Sequence, residues 1–430
     1  MSEVSDHPEA GFDGSPWPPG EPGPGNMRLV RHRDNQQWIL DYFVKVTGRD
    51  RQFFYDDRKL PEGTRSYAMI PRKVERQARH KRTLARGAQD AGHTQTAARL
   101  YQKAAGDYHI AQHSIPYDDH PEKVYLHEQL TACFDQFLAL TDQPVERIEV
   151  DWEGHKLDGL LYLTAEQPAP TVLHINGMDM VKELLPDPLA NPYPARGMNV
   201  AIVDGPGQGT STVRKLRVTP DNHPPAMAAV LDYLEDRPEV DADRIGCVGI
   251  SMGTFWGMQL AARDERIKAI ATHGGCYGPQ YGIWQQASPH FKRQFMFMTG
   301  TTDEEAFDRV AERYILTREE LGAIRCPVLF LHGEYDPLCP LEDALRVYGH
   351  LGGPKEFWLT EDDAHTPTVH PHLGGLPAVV ALADWVGDAL VGIVPPPEGR
   401  LKVLGEHEGA GPYGEELASF YLPHRLGDLA

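Results

Sequence analysis

The chain has few positive charges, no long apolar run and no closely spaced pair of cysteines. Its 430 residues carry 42 Lys and Arg against 62 Asp and Glu, which gives a formal net charge of −20. Proteins that bind nucleic acids gain much of their affinity from clustered Lys and Arg, so this balance argues against a nucleic-acid partner. The chain contains no run of about 20 apolar residues, and its first residues lack the basic start and apolar stretch of a secretory signal. We therefore expect a soluble, cytoplasmic protein with no membrane partner.

The cysteines are scattered and form no C-x-x-C pair. Such a pair is the usual sign in a sequence of a zinc or redox site, so neither kind of site is predicted from them. We expect reduced, buried thiols at all five positions, which are Cys133, Cys247, Cys276, Cys326 and Cys339.

Composition divides the chain into four parts. Residues 1–26 are rich in proline and glycine and poor in aliphatic side chains, which predicts a disordered tail. Residues 27–142 have helical periodicity, most clearly in residues 94–113, where apolar residues recur at spacings of three and four. Residues 143–395 form the main domain, and residues 396–430 are a polar, glycine-rich C-terminal tail to which we assign no structure.

The main domain alternates short apolar runs with helical stretches. Strands that alternate with helices predict an α/β fold with a mostly parallel central sheet and helices on both faces. The last predicted helices span residues 341–348 and 376–390. The predicted strands lie at residues 147–150, 157–163, 171–175, 199–203, 244–248, 267–272, 327–331 and 356–359.

A G-x-S-x-G motif lies between the strand at 244–248 and the next predicted helix. Its members are Gly249, Ser251 and Gly253. A serine at such a tight turn is held outward, and the two glycines leave room for neighbouring backbone. The turn also puts the serine at a helix N-terminus, where free N–H groups stabilise developing negative charge. We interpret Ser251 as a nucleophile rather than as part of a plain glycine-rich turn.

An acid and a base follow this serine in the chain order that a Ser-Asp-His triad on this kind of sheet requires. Asp336 ends the turn after the strand at 327–331, and His365 lies in the loop after the strand at 356–359. A serine hydroxyl needs such a base to take its proton and an acid to orient the base. Three other acids compete for the orienting role on position alone, namely Glu334, Asp362 and Asp363.

Further histidines near the proposed base raise the question of a metal site. His370 and His372 follow His365, and such clusters do bind metals. No carboxylate or cysteine lies at a matching helical spacing, and prolines interrupt any helix there, so we predict no metal. His273 and His332 lie at strand ends and are predicted to be structural.

Acyl transfer to a serine also needs N–H donors for the oxyanion. The backbone N–H of Met252 is one candidate because Met252 follows the nucleophile directly. The loop after the strand at 171–175 should supply the second, and we select Met178 there. A plain Asn-Gly turn is the alternative interpretation of this loop.

Two other segments attract attention. The run Asp-Gly-Pro-Gly-Gln-Gly at 204–209 imitates a dinucleotide-binding motif, but its glycine spacing differs from G-x-G-x-x-G and a proline interrupts it, so we interpret it as a turn. The run from Arg72 to Arg86 carries seven Lys or Arg against Glu75 alone. A solvated helix face is the ordinary explanation, and an acidic protein partner or a second copy of the chain is the alternative.

The motifs in residues 145–390 together resemble those of the α/β-hydrolases. They are Asn-Gly-Met-Asp at 176–179, Lys-Glu at 182–183, the run at 204–209, Gly-Ile-Ser-Met-Gly at 249–253 and His-Gly-Glu-Tyr-Asp at 332–336. These motifs follow a helical N-terminal region. Together they are similar to those of a narrower group of α/β-hydrolases, which includes dihydroxypseudooxynicotine hydrolase and fungal hydrolases that shorten polyketides. The resemblance implies a triad of Ser251, Asp336 and His365 beneath a helical cap domain at 27–142.

The chain departs from this group in one segment. Where the nicotine-pathway enzyme has an acidic residue that serves C–C cleavage, residues 277–286 contain no carboxylate. An identical mechanism is therefore not expected, although serine attack on a carbonyl remains possible. Tyr281, Trp284 and Gln285 are candidates for the substrate pocket, with a core role as the alternative for the aromatic side chains.

These observations predict a hydrolase without a cofactor that acts on a small molecule, with a homodimer as a possible assembly. We expect cleavage of a ketone C–C bond, of the β-diketone or aryl ketone type, or of an ester in an aromatic or secondary-metabolite substrate. The alternative is an acyltransferase, or a thioesterase or cyclase for a polyketide-type acyl group, that forms the same acyl-serine. A binding protein on a disused hydrolase fold is a third possibility, against which the complete set of site residues argues.

Overall fold

The computed structural model describes residues 61, 64, 67–178, 180–279, 282–284, 289–336, 338–361, 363–365, 369–405 and 412–413. The tail predicted at 1–26 lies outside these residues. Among the described helices, none combines the length and the apolar character that crossing a membrane requires.

Three long helices form the N-terminal region. They are α1 (Ile70–Asp90), α2 (Thr94–His113) and α3 (Pro121–Leu140). Pro71 and Pro121 lie in the first turns of α1 and α3, where proline costs no helical hydrogen bond. The bounds of α2 match the predicted residues 94–113, because its buried alanines and tyrosines recur on one face.

A ten-stranded sheet forms the main domain, in the order β1-β2-β4-β3-β5-β6-β7-β8-β11-β12. Strands β3 to β8 and β11 run parallel, whereas β1, β2 and β12 pair antiparallel with their neighbours. The strands are β1 (Val145–Trp152), β2 (His155–Tyr162), β3 (Ala169–Ile175), β4 (Asn199–Val203), β5 (Val240–Ile250), β6 (Ile267–His273), β7 (Val328–Gly333), β8 (Lys355–Thr360), β11 (Arg400–Leu404) and β12 (Pro412–Tyr413).

Helices cover both faces of this sheet. Alternate residues of β4 show the division, since Ala201 and Val203 join one apolar cluster and Val200 and Ile202 join the other. This confirms the predicted α/β architecture, whose strands are apolar on both faces. The helices of the main domain are α4 (Gly209–Val213), α5 (His223–Glu235), α6 (Met252–Arg263), α7 (Pro289–Thr299), α8 (Glu304–Ala311), α9 (Arg318–Ala323), α10 (Leu341–His350) and α11 (Ala378–Leu390).

The C-terminal boundary differs from the sequence-based division. Strand β11 pairs in parallel with β8 from Arg400 to Leu404, so part of the predicted tail at 396–430 belongs to the sheet. The apolar signal in this short strand is weak, because Arg400 and Lys402 occupy two of its five positions. Two short strands, β9 (Val369–His370) and β10 (Leu376–Pro377), form a separate ribbon between β8 and α11.

The helical region packs directly against the sheet. Phe134 and Phe137 of α3 share one apolar cluster with Tyr162 of β2 and Val200 of β4. Lys215 also forms an ion pair with Asp119 across the two parts, at 2.7 Å. The three N-terminal helices therefore share a core with the main domain and lie over one side of it.

Candidate active site

Ser251 lies at the turn between β5 and α6, and its backbone is in an unusual conformation. Its φ is 53° and its ψ is −120°, a region that L-residues other than glycine rarely adopt. The Ser251 N–H donates to the His273 carbonyl oxygen at 2.9 Å, which ties the turn to the end of β6. The serine side chain is thereby held at the carboxyl end of the central strands.

Glycine is required on both sides of this turn. A β-carbon at Gly253 would lie 2.1 Å from the Ile175 carbonyl oxygen, and one at Gly249 would lie 2.7 Å from the Gly253 oxygen. Both distances are far shorter than any tolerated contact, so these positions permit the close approach of β3 and α6. The spacing of the G-x-S-x-G motif has this steric origin.

The structure brings the three predicted catalytic side chains together. Ser251 Oγ lies 2.8 Å from His365 Nε2, and His365 Nδ1 lies 2.7 Å from Asp336 Oδ2. His365 and Asp336 are both buried, whereas Ser251 is partly exposed. The arrangement is that of a nucleophile, a base and an orienting acid in one line of hydrogen bonds.

The Asp336 carboxyl is held in its ionised form. Its Oδ1 accepts hydrogen bonds from the backbone N–H groups of Leu338 and Cys339, at 2.9 and 3.0 Å. Burial by itself raises the pKa of Asp336, but the adjacent His365 ring and these contacts outweigh burial and hold the pKa below its usual range. An anionic Asp336 can fix the tautomer of His365 and stabilise the imidazolium that proton transfer creates.

The competing acids lie elsewhere or outside the described residues. Asp363 is directed at His370, with 2.8 Å between its Oδ2 and His370 Nδ1, rather than at His365. Asp362 lies outside the described residues. The backbone N–H of Glu334 donates to the Thr360 carbonyl oxygen at 3.0 Å.

A cysteine also contacts the nucleophile. Cys276 Sγ lies 3.8 Å from Ser251 Oγ. Burial raises the pKa of the Cys276 thiol to about 12, so the group is a neutral thiol at physiological pH. It can act as a weak hydrogen-bond partner of the serine, which the sequence did not indicate.

The loop after β3 lies directly beside the nucleophile. A β-carbon at Gly177 would lie 3.2 Å from Ser251 Cβ, so only glycine lets this loop approach so closely. Within the described residues, the N–H groups of Met178 and Met252 have no hydrogen-bond acceptor. Met252 directly follows Ser251 and Met178 directly follows Gly177, so both stay predicted oxyanion donors.

Comparison with known proteins agrees with this fold. A model of the prolyl oligopeptidase family matches residues 189–363, which include Ser251 and Asp336. A crystal structure titled 2,6-dihydroxy-pseudo-oxynicotine hydrolase has the same fold, with a TM-score of 0.66 and 24% identity over 85% of this chain and 95% of that one. The chain has the α/β-hydrolase fold.

Two curated relatives extend the comparison to most of the chain. The 2,6-dihydropseudooxynicotine hydrolase of Paenarthrobacter nicotinovorans is 27% identical and covers 70% of this chain and 79% of its own length. The hydrolyase poxO of Penicillium oxalicum is 26% identical and covers 72% of this chain and 84% of its own length. These matches confirm the predicted resemblance to this group of hydrolases.

Gln208, which no sequence motif indicated, holds the loop after β3 that carries the predicted oxyanion donor Met178. Gln208 Nε2 donates to the carbonyl oxygens of Asn176 and Gly177, at 3.0 and 2.8 Å. The Gly177 C=O and the Met178 N–H belong to one trans peptide and point in opposite directions. Because Gln208 holds the Gly177 carbonyl oxygen, the Met178 N–H points away from Gln208. The run at 204–209, which we interpreted only as a turn, thus supplies a positioning residue.

Gln208 is itself fixed by its surroundings. Its Oε1 accepts from the Gly205 N–H at 3.2 Å and lies 3.4 Å from His223 Nε2. Burial lowers the pKa of His223 to about 3, and the neutral ring stacks on Trp256 with ring centroids 4.2 Å apart. The amide orientation of Gln208 therefore follows from buried neighbours, and its two N–H groups are left for the loop.

A buried ion cluster supports the same loop from its far end. Lys182 Nζ lies 2.7 Å from Asp204 Oδ2, 2.9 Å from Glu183 Oε1 and 3.1 Å from Thr210 Oγ1. Although burial lowers the pKa of Lys182, Asp204 and Glu183 raise it above its ordinary value, so the ammonium stays charged. The Lys182 backbone N–H also donates to Asp204, which joins the oxyanion loop to the Gln208 loop.

The helical cap reaches this ion cluster. His127 of α3 is buried, and burial together with the Lys182 ammonium lowers its pKa to about 4. A small cavity lies between the cap and the main domain and is lined by Gln112, Lys123, Gly207 and Phe297, among others. The cap thus lies against the same loops that position the oxyanion donors.

The predicted pocket residues give a mixed result. Tyr281 and Gln285 lie outside the described residues. Trp284 is 1% exposed and packs in an aromatic cluster, with its ring stacked on Phe295 at 4.5 Å and edge-on to Phe307 at 5.9 Å. This environment agrees with the core role that the sequence left open for Trp284.

The remaining histidines lie around the triad. His332 Nε2 lies 3.1 Å from the Cys339 carbonyl oxygen, and His273 Nε2 lies 2.9 Å from His370 Nε2. Helical spacing in the sequence brings no carboxylate or cysteine to these histidines. The fold instead brings the Asp363 carboxylate from the loop to His370 and His372.

We predict that Gln208→Ala lowers kcat about 10- to 100-fold, because a small misplacement of a catalytic donor has effects of this size. KM should change little, since the lost contact positions the oxyanion loop rather than the substrate. The measurement is steady-state hydrolysis of a p-nitrophenyl ester. The matched control is Gln167→Ala, which removes an exposed glutamine that binds the Thr164 carbonyl oxygen. A wild-type kcat for Gln208→Ala would contradict the positioning role.

We predict that Lys182→Met lowers the free energy of unfolding by about 3 to 5 kcal/mol, because it leaves buried carboxylates without their counter-ion. Urea unfolding followed by circular dichroism measures this change. The control is Lys156→Met, which removes an exposed lysine that also pairs with two acids, Glu149 and Asp151. Exposed pairs contribute little, so the control should unfold almost as the wild type does. Equal losses in the two variants would show that burial of the cluster is unimportant.

Proposed function

We propose that this protein is a serine hydrolase that cleaves a ketone C–C bond or an ester through an acyl-serine at Ser251. The observation that carries the proposal is the line of hydrogen bonds from Ser251 Oγ through His365 to Asp336, at 2.8 and 2.7 Å. The distances suit general-base activation of the hydroxyl without rearrangement. The position of Ser251 at the N-terminus of α6 adds N–H groups on the side where charge develops.

In the first step, Ser251 Oγ attacks the substrate carbonyl carbon while its proton moves to His365 Nε2. The carbonyl oxygen becomes an oxyanion, which the N–H groups of Met178 and Met252 stabilise. Loss of one such donor typically raises the barrier by about 3 to 4 kcal/mol. The ionised Asp336 stabilises the imidazolium formed on His365.

In the second step, the tetrahedral intermediate collapses and breaks the bond to the leaving group. The proton on His365 Nε2 passes to the departing carbon or oxygen, which leaves an acyl ester on Ser251. Water, deprotonated by the same nitrogen, then attacks the acyl carbon and releases a carboxylic acid together with free Ser251. Atoms balance with one water consumed for each bond cleaved.

Residues 277–286 contain no carboxylate that could serve as a second acid. We therefore expect substrates whose leaving group needs little acid assistance. A β-diketone releases an enolate, and an ester releases an alkoxide, and each can take the single proton that His365 carries. Two relatives that match most of the chain are named as hydrolases, which supports a hydrolytic outcome.

We predict that Ser251→Ala loses turnover by a factor of roughly a million, the effect expected when the nucleophile of a triad is removed. A panel of β-diketones, aryl ketones and esters provides the assay. Labelling by a fluorophosphonate should also disappear, because the phosphonate bonds to the activated serine. The control is Thr83→Ala, which removes an exposed hydroxyl on α1. Undiminished turnover or labelling in Ser251→Ala would overturn the proposal.

Product analysis separates hydrolysis from acyl transfer. In water enriched in ¹⁸O, hydrolysis of the acyl-serine should place one labelled oxygen in the released acid. The same reaction with added alcohols and amines should still give mainly the free acid. Transfer products that outweigh the acid would identify the enzyme as an acyltransferase.

A further inference from the structure

A second group of polar side chains lies on the loop that carries His365. Asp363 Oδ2 is 2.8 Å from His370 Nδ1 and 3.7 Å from His372 Nδ1. All three atoms lie within 4.8 Å of one another. The side chains of His370 and His372 are 1% and 3% exposed, and that of Asp363 is 12% exposed. The group is thus nearly enclosed, and its three polar atoms converge on one point.

The neighbours of this group fix where its hydrogens lie. His372 Nε2 is 2.6 Å from the Glu361 carbonyl oxygen, which can only accept, so Nε2 carries the hydrogen. In the neutral ring, His372 Nδ1 is then a bare lone pair. Asp363 Oδ1 accepts from the Ala364 N–H at 2.9 Å, which leaves Oδ2 for the group.

The tautomer of His370 depends on its hydrogen bond with His273. His370 Nε2 lies 2.9 Å from His273 Nε2, so one of these nitrogens donates and the other accepts. When His370 donates, its Nδ1 is also bare. Three lone pairs, on two imidazoles and one carboxylate, then face one another in a buried space.

Hydrogen bonds do not satisfy these three atoms. Within the residues that the structure describes, Asp363 Oδ2, His370 Nδ1 and His372 Nδ1 are buried and have no hydrogen-bond partner. The 2.8 Å separation of Asp363 and His370 therefore lacks the direction of a hydrogen bond. Converging buried acceptors without donors are costly, and a cation between them removes that cost.

We propose that Asp363, His370 and His372 form a binding site for one divalent transition-metal ion of the zinc type. Two imidazole nitrogens and a carboxylate oxygen are ligands that zinc accepts, with bonds of about 2.0–2.2 Å. Ligand atoms of a tetrahedral ion with such bonds lie about 3.3 Å apart. The two distances at Asp363, 2.8 and 3.7 Å, fall on either side of this value.

The outer contacts also match a metal site. Histidines that bind metals usually donate their second ring N–H to a carbonyl or a similar acceptor. His372 does so to the Glu361 oxygen, and His370 can do so to His273. In each histidine this second contact uses the hydrogen on Nε2. Nδ1 then carries no hydrogen, and its lone pair can bind the ion.

A bound ion would stabilise the loop that positions the catalytic base. Asp363 precedes His365 by two residues, and the Asp363 carbonyl oxygen accepts from the Tyr335 N–H at 2.9 Å, next to Asp336. The ion would thus join β8, the loop and the ribbon of β9 and β10. Its role is to hold His365 and Asp336 in register, and it takes no part in bond cleavage.

The test uses untagged full-length protein treated with a chelator and then titrated with Zn²⁺ by calorimetry and with Co²⁺ by visible absorption. One ion should bind per chain, and the melting temperature should rise with Zn²⁺. Asp363→Asn, which keeps the side-chain shape, and His372→Ala should each weaken Zn²⁺ binding more than about 100-fold, since even outer partners contribute 10- to 100-fold. His80→Ala, an exposed histidine on α1, is the control and should bind as the wild type does.

Two results would overturn the site. If Asp363→Asn binds Zn²⁺ as tightly as the wild type, or no Zn²⁺ binds at all, Asp363, His370 and His372 do not form a metal site. If His365→Ala abolishes binding while Asp363→Asn does not, the ion belongs to the triad instead. The titrations are repeated in Ser251→Ala, because a metal site that persists there does not depend on the proposed hydrolase chemistry.

Discussion

Ser251 occupies a backbone conformation that costs about 1 to 3 kcal/mol, and the rest of the site is arranged around that turn. The turn persists because Gly249 and Gly253 let strand β3, strand β5 and helix α6 meet more closely than any side chain would allow. This close packing places the serine hydroxyl at the sheet edge. The same edge receives Asp336 after β7 and His365 after β8, so the order of parallel strands assembles the triad.

The oxyanion loop depends on a second set of contacts behind the turn. Gln208 holds the carbonyl oxygens of Asn176 and Gly177, and the Lys182–Asp204 ion pair closes the loop at its far end. Because the cluster is buried and carries more acid than base, its stability depends on Lys182. Helix α3 contributes the buried His127 to this region, close enough to Lys182 for the ammonium to lower the pKa of His127.

Much of this arrangement could be predicted from the sequence. The pattern of a strand, a G-x-S-x-G motif and a helix predicts the tight turn at Ser251. The chain order of a Ser-Asp-His triad then selects Asp336 and His365 among several acids and histidines. Apolar runs located most of the strands because parallel strands are buried on both faces. Strand β11 was missed because Arg400 and Lys402 break the apolar run, and pairing with β8 compensates for its weak pattern. Gln208 and the Asp363–His370–His372 group could not be predicted, since their contacts join segments that no local spacing relates.

The most direct test of the triad and oxyanion assignment is a crystal structure of the protein inhibited by a fluorophosphonate. We predict phosphorus bonded to Ser251 Oγ, with the phosphoryl oxygen about 2.7 to 3.1 Å from the N–H nitrogens of both Met178 and Met252. A phosphonate attached to another residue, or a phosphoryl oxygen directed away from both N–H groups, would contradict it.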